Sequence, residues 1–278
     1  MRRGSAAQTA RLFCVGSYGP WALVTGASDG IGRDLARALA RRGLSLALVA
    51  RREDRLHALA DELTPLGVET RVIPADLGTP EGVALTLART ADLDLGLFVA
   101  AAGFGTSGPF LDADLDAELA MIDVNVRAVA SLTHPLARRL AQRGRGGVVL
   151  LSSLVAFQGV ARAANYAATK AWVQSFGEGL HHELKPRGVD VLASAPGPVH
   201  SGFASRAHMT MGLAAKPDEV ADATLRALGR RAVVRPGWLA WLLEMSLATL
   251  PRWARVRMMG VIMAGMTAPP RAALTRSP

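Results

Sequence analysis

Trp21-Ala22-Leu23-Val24-Thr25-Gly26-Ala27-Ser28-Asp29-Gly30-Ile31-Gly32 reads as a short buried strand that runs into a glycine-rich turn. An amphipathic helix follows, with Ile31, Leu35, Ala38 and Leu39 at helical spacing. The glycines have separate tasks in such a unit. Gly26 permits a tight exit from the strand, Gly30 lets backbone N–H groups approach a phosphate, and Gly32 lets the helix pack closely on the sheet. The helix N-terminus adds partial positive charge where a pyrophosphate would lie. The spacing is G-x-x-x-G-x-G rather than G-x-G-x-x-G, and a βα turn without any ligand is the alternative.

The same strand–helix alternation continues along the chain. Apolar runs at 21–25, 44–50, 69–74, 95–100, 147–152, 189–195 and 232–235 are expected strands, with long helices near 112–142 and 164–186. This pattern predicts an α/β fold: one doubly wound, Rossmann-type domain with a mostly parallel seven-stranded sheet and a helical C-terminal extension. The second strand ends at Arg51-Arg52, where a dinucleotide fold meets the adenosine ribose. A carboxylate there would suit NAD, whereas the planar fork of arginine suits the 2′-phosphate of NADP. NADP is therefore expected, with NADPH preferred over NADH. The alternative is a pair of arginines on a basic surface. Glu53 and Asp54 fit the first turn of the next helix.

Further along, Tyr166 and Lys170 stand four residues apart in Asn165-Tyr166-Ala167-Ala168-Thr169-Lys170, with Ser153 thirteen residues upstream. On a helix such a pair shares one face, so phenol and ammonium can enter one cleft. A free tyrosine titrates near 10 and is a poor acid–base catalyst at neutral pH unless its anion is stabilised. A cation one turn away would do that, and a serine hydroxyl can hold the substrate oxygen. The chain has only two tyrosines, and only Lys170, Lys185 and Lys216 among its 32 cationic residues are lysine, which makes the pairing informative.

Together these residues resemble the short-chain dehydrogenase/reductase family from about Trp21 to Phe203. Thr25 to Gly32 matches the family's TGxxxGIG turn. Asp76, followed by Leu77, matches the residue used near the adenine. Asn125 in Asp123-Val124-Asn125-Val126 matches the catalytic asparagine, and Ser153, Tyr166 and Lys170 complete a tetrad. Pro196-Gly197-Pro198-Val199 matches the segment that lines the nicotinamide pocket. The chain departs from the family at two places. Ala101-Ala102-Gly103 replaces the usual Asn-Ala-Gly after the fourth strand, and Ser201 stands where many members have threonine.

The resemblance implies reversible hydride transfer between a nicotinamide and a ketone or secondary alcohol. Tyr166 would exchange the proton with the substrate oxygen and Ser153 would orient that oxygen. Lys170 would lower the phenol pKa and bind the ribose, and Asn125 would hold a water beside Lys170. A purely structural role for Asn125, satisfying backbone groups within a helix, is the alternative. The two long helices would form the family's four-helix interface, in a homodimer or homotetramer. The Tyr18-Gly19-Pro20-Trp21 opening and the Asp29-Gly30-Ile31-Gly32 turn look like members that act on long-chain 3-oxoacyl thioesters or hydroxysteroids. A lipophilic small-molecule carbonyl or alcohol is thus expected, with no acidic or basic constellation that demands a charged small substrate.

Length and composition fit this reading. Half of the 278 residues are apolar, enough for one large domain, residues 20–236, between an N-terminal extension, 1–19, and a helical extension, 237–278. A single cysteine, Cys14, excludes an intrachain disulfide and fits a reducing compartment. Leu12-Phe13-Cys14-Val15 is too short for the apolar region of a signal peptide. A cytoplasmic location is expected, or a peripheral one at the membrane. The six histidines show no metal-ligand spacing, and no metal is expected.

Charge is unevenly spread. Residues 226–278 hold nine arginines against Glu244 alone, almost the whole formal charge of +9. Trp238, Trp241 and Trp253 lie there too, within apolar runs shorter than the roughly 20 residues that cross a bilayer. Such helices can lie at a membrane surface, guard a lipophilic pocket, or pack on the core or a partner subunit. Nucleic acid is not an expected partner, because the basic residues accompany apolar helices rather than a reading motif. The segment Ser201 to Lys216 is expected to close over the substrate. Two rival functions stay open: a non-catalytic NADP-binding sensor or scaffold, and a peripheral membrane protein on the same fold.

Overall fold

The computed structural model describes residues 15–199, 214–237 and 250–267. In chain order, the first half comprises β1 (Trp21–Thr25), α1 (Gly30–Arg41), β2 (Ser45–Ala50), α2 (Glu53–Leu63), β3 (Thr70–Pro74), α3 (Pro80–Ala88) and β4 (Leu95–Ala100). The second half comprises α4 (Leu115–Ile122), α5 (Ala128–Arg143), β5 (Gly146–Leu151), α6 (Ala164–Leu184), β6 (Val189–Ser194), α7 (Pro217–Ala227), β7 (Val233–Val234) and α8 (Arg252–Thr267). The expected strands all form, with ends that move by at most two residues.

The sheet has the order β3-β2-β1-β4-β5-β6-β7, and every pairing is parallel. Successive side chains of a strand point to opposite faces, and this alternation divides the core in two. Ala22, Val24, Leu46 and Leu48 enter one apolar cluster with Leu35 and Leu39 of α1. Leu23, Ala47 and Val49 enter the other, with Leu132 and Leu136 of α5 and Val173 of α6. Burial on both faces explains why the strands read as nearly continuous apolar runs. Strand order reverses between β1 and β4, and a doubly wound sheet opens its ligand crevice at that point.

Three features differ from the expected organisation. Tyr18, assigned to the N-terminal extension, is buried in the core and donates its hydroxyl to Asp190 at 2.8 Å, so the folded unit begins before Pro20. The long helix expected near 112–142 forms from Leu115 to Arg143, but α4 and α5 within it are joined by a π-helical turn, Asp123–Arg127, centred on Asn125. In the C-terminal extension α8 is helical and packs back on the body, with Met259, Met263 and Met266 against Met121, Val160 and Tyr166.

Candidate active site

The crevice at the reversal point is a cleft of about 950 Å³, and it brings most of the sequence-predicted residues together. Gly26, Ser28, Asp29, Gly30, Ile31 and Gly32 form its floor. Arg51, Arg52, Asp76 and Leu77 line it as well, together with Ala102 and Gly103. So do Ser153, Tyr166 and Lys170, with Pro196, Gly197 and Val199. Ser201 lies outside the described residues, as does most of the segment expected to cover the substrate.

The glycine turn is built for close approach. Gly26 and Gly30 adopt φ of +68° and +53°, in the left-handed region that favours glycine. A Cβ on Gly32 would stand 2.4 Å from the Gly26 carbonyl oxygen, so any side chain would push α1 off the sheet. Asp29 caps α1 by accepting a hydrogen bond from Gly30 N at 2.7 Å. The Ala101 departure is compensated from β1. Thr25 Oγ1 accepts from the N–H groups of both Ala101 and Ala102 at 3.1 Å and donates to the Val99 carbonyl at 3.3 Å.

At the adenosine end, Arg52 donates to Ser28 Oγ at 3.1 Å and stands 3.5 Å from Asp29, while Arg51 stands 3.8 Å from Asp76. Arg55, from the first turn of α2, joins them at 3.8 Å from Asp29. Arg55 is not among the residues singled out from sequence, although it lies in the first turn of the helix that Arg52 precedes. These half-exposed cations and backbone N–H groups fit a phosphorylated dinucleotide.

Two of the tetrad residues, Asn125 and Lys170, approach Gly103. A Cβ there would lie 2.9 Å from Asn125 Oδ1 and 3.4 Å from Lys170 Nζ, leaving room only for glycine. Asn125 is buried, and the π-helical turn aims its amide across the cleft wall. Its Nδ2 donates to the Phe104 carbonyl at 2.9 Å and to Thr169 Oγ1 at 3.1 Å, and its Oδ1 accepts from Phe104 N at 3.1 Å. These bonds satisfy the backbone of the Phe104 segment after β4 rather than groups within the helix. Lys170 Nζ donates to the Leu151 carbonyl at 2.8 Å and lies 5.9 Å from the centre of the Tyr166 ring.

Burial dominates the electrostatics here. Tyr166 is pushed up to about 12 by desolvation, against an opposing hydrogen bond with Ser153 that favours the anion. Lys170 is lowered to about 8, again by desolvation. The phenol pKa is raised in the protein alone, rather than depressed as expected from the lysine: removal from water outweighs the Ser153 hydrogen bond, the one opposing influence.

The wall opposite the glycine turn comes from the far end of the chain. α8 contributes Arg255, Met259, Ile262, Met263 and Met266, and Arg235 stacks over the Phe157 ring at 4.3 Å. None of these is singled out by the sequence as a site residue, although guarding a lipophilic pocket is one role considered for the C-terminal extension. Among the described residues, no cluster of three or more His, Cys, Asp or Glu side chains could hold a metal, and no helix is long and apolar enough to cross a membrane.

Comparison with known proteins agrees with this geometry. A family profile described as short chain dehydrogenase matches residues 20–211. The chain is 37% identical over 184 residues to a very-long-chain 3-oxoacyl-CoA reductase of Anas platyrhynchos, with 64% of this chain and 59% of that protein aligned. It thus spans less than two thirds of that relative. It is 30% identical over 234 residues to a 7beta-hydroxysteroid dehydrogenase of Collinsella aerofaciens, covering 79% of this chain and 87% of the relative. A short-chain dehydrogenase from Sphingobium yanoikuyae, solved in complex with NADPH, superposes with a TM-score of 0.75 at 32% identity, over 84% of this chain and 97% of that one. With its glycine turn, parallel sheet and Ser–Tyr–Lys group in one cleft, the chain belongs to the short-chain dehydrogenase family of oxidoreductases.

Proposed function

We propose that the protein is an NADP(H)-dependent oxidoreductase that interconverts a lipophilic ketone and its secondary alcohol. The observation that carries this reading is the placement of Ser153, Tyr166 and Lys170 in the same cleft as the glycine turn and the Arg51–Arg52 pair. Bound NADP(H) would supply or accept the hydride. Arg51, Arg52 and Arg55 would hold the 2′-phosphate, and the N-terminus of α1 the pyrophosphate. Pro196, Gly197, Val199 and Ser201 would border the nicotinamide, and Asp76 and Leu77 the adenine.

For the chemical step, Tyr166 O–H donates its proton to the carbonyl oxygen during reduction and takes it back during oxidation. A phenol pushed up to about 12 is fully protonated at neutral pH, the form that reduction requires. Ser153 orients the substrate oxygen beside that phenol. Lys170 reaches the ribose and offers positive charge as phenolate develops, while Asn125 fixes the Phe104 segment and α6 around it.

Support for a lipophilic substrate comes from the methionine-rich wall that α8 lays against Tyr166. The names of the Collinsella aerofaciens and Anas platyrhynchos relatives, a hydroxysteroid dehydrogenase and a long-chain oxoacyl reductase, point the same way. The outer side of α8 is also apolar: Trp253 is 70% and Val261 71% exposed, beside exposed Arg252 and Arg257. This supports contact with an anionic membrane surface. The stripe Leu115, Leu119 and Ile122 on α4 is exposed at helical spacing and supports association with a second copy.

The test is NADPH consumption by the purified full-length chain across a panel of steroid and long-chain ketones. Ketone-dependent consumption is expected, with little for small charged carbonyls. Tight NADPH binding without turnover of any ketone would favour the non-catalytic sensor or scaffold.

A further inference from the structure

We infer that Arg255 anchors an oxyanion at the far end of the substrate, so that the cleft takes an amphiphile: an apolar carbonyl compound that ends in a carboxylate or a phosphate. The inference rests on the carbonyl-reductase reading above and adds the substrate's charge to it.

Residues 255, 259 and 263 follow one another at i, i+4 spacing and so share a face of α8. All three line the cleft. Met259 and Met263 pack in the cluster that contains Tyr166, so this face begins at the reacting group and ends at Arg255. From Met263 to Arg255 the helix rises about 12 Å. The neighbouring Val256 lies over Gly159, just past the Leu154–Phe157 turn that follows Ser153, which places Arg255 at the substrate end of the cleft.

The charge is unbalanced there. Arg255 Nε is buried without a hydrogen-bond partner. The carboxylates that line the cleft, Asp29 and Asp76, stand at the adenosine end and face Arg51, Arg52 and Arg55. Arg252 and Arg257 on the same helix are exposed, so solubility does not require the arginine that turns inward. A helix that only covered an apolar cleft would place another methionine there. Arg255 is half-buried, with only its Nε wholly shielded, and its guanidinium fork matches a carboxylate or phosphate in two parallel hydrogen bonds. Arg235, stacked on Phe157, adds positive field to the same wall.

The probes are three straight-chain ketones of equal length, with the carbonyl about ten bonds from the terminus to suit the rise of α8. They end in a carboxylate, its methyl ester, or a phosphate. With the full-length protein and NADPH, kcat/KM for the acid is expected to exceed that for the ester about tenfold or more, mainly through KM, the size of one charge-assisted contact. Arg255→Gln should bring the acid down to the level of the ester, and Arg255→Lys should retain part of the preference. Phosphate ahead of carboxylate would identify a phosphate-bearing substrate, and the reverse order a free acid; either supports the proposal. Equal kcat/KM for acid and ester in the wild type would overturn it, as would a preference that survives Arg255→Gln. Weakened NADPH binding in Arg255→Gln without convergence of acid and ester would overturn it by assigning the residue to the cofactor. Failure to turn over any ketone, ester included, would instead bring down the reductase reading on which it stands.

Discussion

At one end of the cleft Arg51, Arg52 and Arg55 face Asp76 and Asp29 across 3.5–3.8 Å, half exposed to water. At the other, Arg255 turns inward among methionines with its Nε unpartnered. Both ends use arginine, but in different electrostatic settings. Paired, solvated guanidinium groups cost little to maintain and can exchange a carboxylate for a phosphate when a nucleotide arrives. The half-buried one holds its Nε away from water, where the partner proposed above is an oxyanion of the ligand. Tyr166 and Lys170 line the same cleft, and burial disfavours the charged form of each, phenolate and ammonium alike. On the proposed reading, the end at Arg51 and Arg52 accepts the cofactor and the α8 end selects the substrate.

The variant expected to separate the ends most sharply is Lys170→Met. Turnover should fall by about 10²–10⁴-fold, the range for loss of a group that supports proton transfer. The same variant should unfold at a higher temperature at neutral pH, because a buried lysine lowered to about 8 destabilises the folded state. The unfolded lysine titrates near 10.5, so below pH 8 both states carry the proton and the penalty is complete. Between pH 8 and 10.5 the unfolded chain binds the extra proton, and wild-type stability rises with pH. The advantage of Lys170→Met, about 1–3 kcal/mol after loss of the bond to Leu151, should shrink over that window. Thermal melts at pH 7 and pH 10 check this. An advantage that grows with pH would contradict the burial argument.

A smaller effect is expected at the adenosine end. Replacing Arg51 and Arg52 together by alanine should weaken NADPH binding about 10–100-fold and leave NADH nearly unaffected, as expected for lost charge-assisted contacts to one phosphate. Equal weakening of both nucleotides, measured by fluorescence titration, would move these arginines away from the 2′-phosphate. The smallest effect belongs to the outside of α8. Trp253→Ser with Val261→Ser should reduce binding to phosphatidylcholine–phosphatidylglycerol vesicles about tenfold in a flotation assay. Unchanged flotation would remove the membrane from the account.

The two ends also differ in how far the sequence reveals them. The glycine turn, Arg51 and Arg52 are local features: a strand, a turn and a second strand end place them without long-range knowledge. Tyr166 and Lys170 were legible because one helical turn joins them. Asn125 was found by its motif, but the π-helical turn on which it sits, closed by the Ala128 N–H on the Asp123 carbonyl, was not. Nor could the direction of the Tyr166 shift be read, because burial is a tertiary property. α8 gave the least warning. It is apolar on both its inner and outer sides, so no single face announced where it would dock, and Arg235 and Arg255 meet the cleft only after it folds back.

The most direct test of the account is Tyr166→Phe, compared with the wild type for NADPH affinity and for turnover of a ketone that the wild type reduces. The phenyl ring keeps the packing against Met263 and Val160 and removes only the proton that the mechanism moves. The account predicts unchanged NADPH affinity with turnover reduced by about 10²–10⁴-fold. Turnover that survives the substitution would contradict it, because the proton would then come from another group.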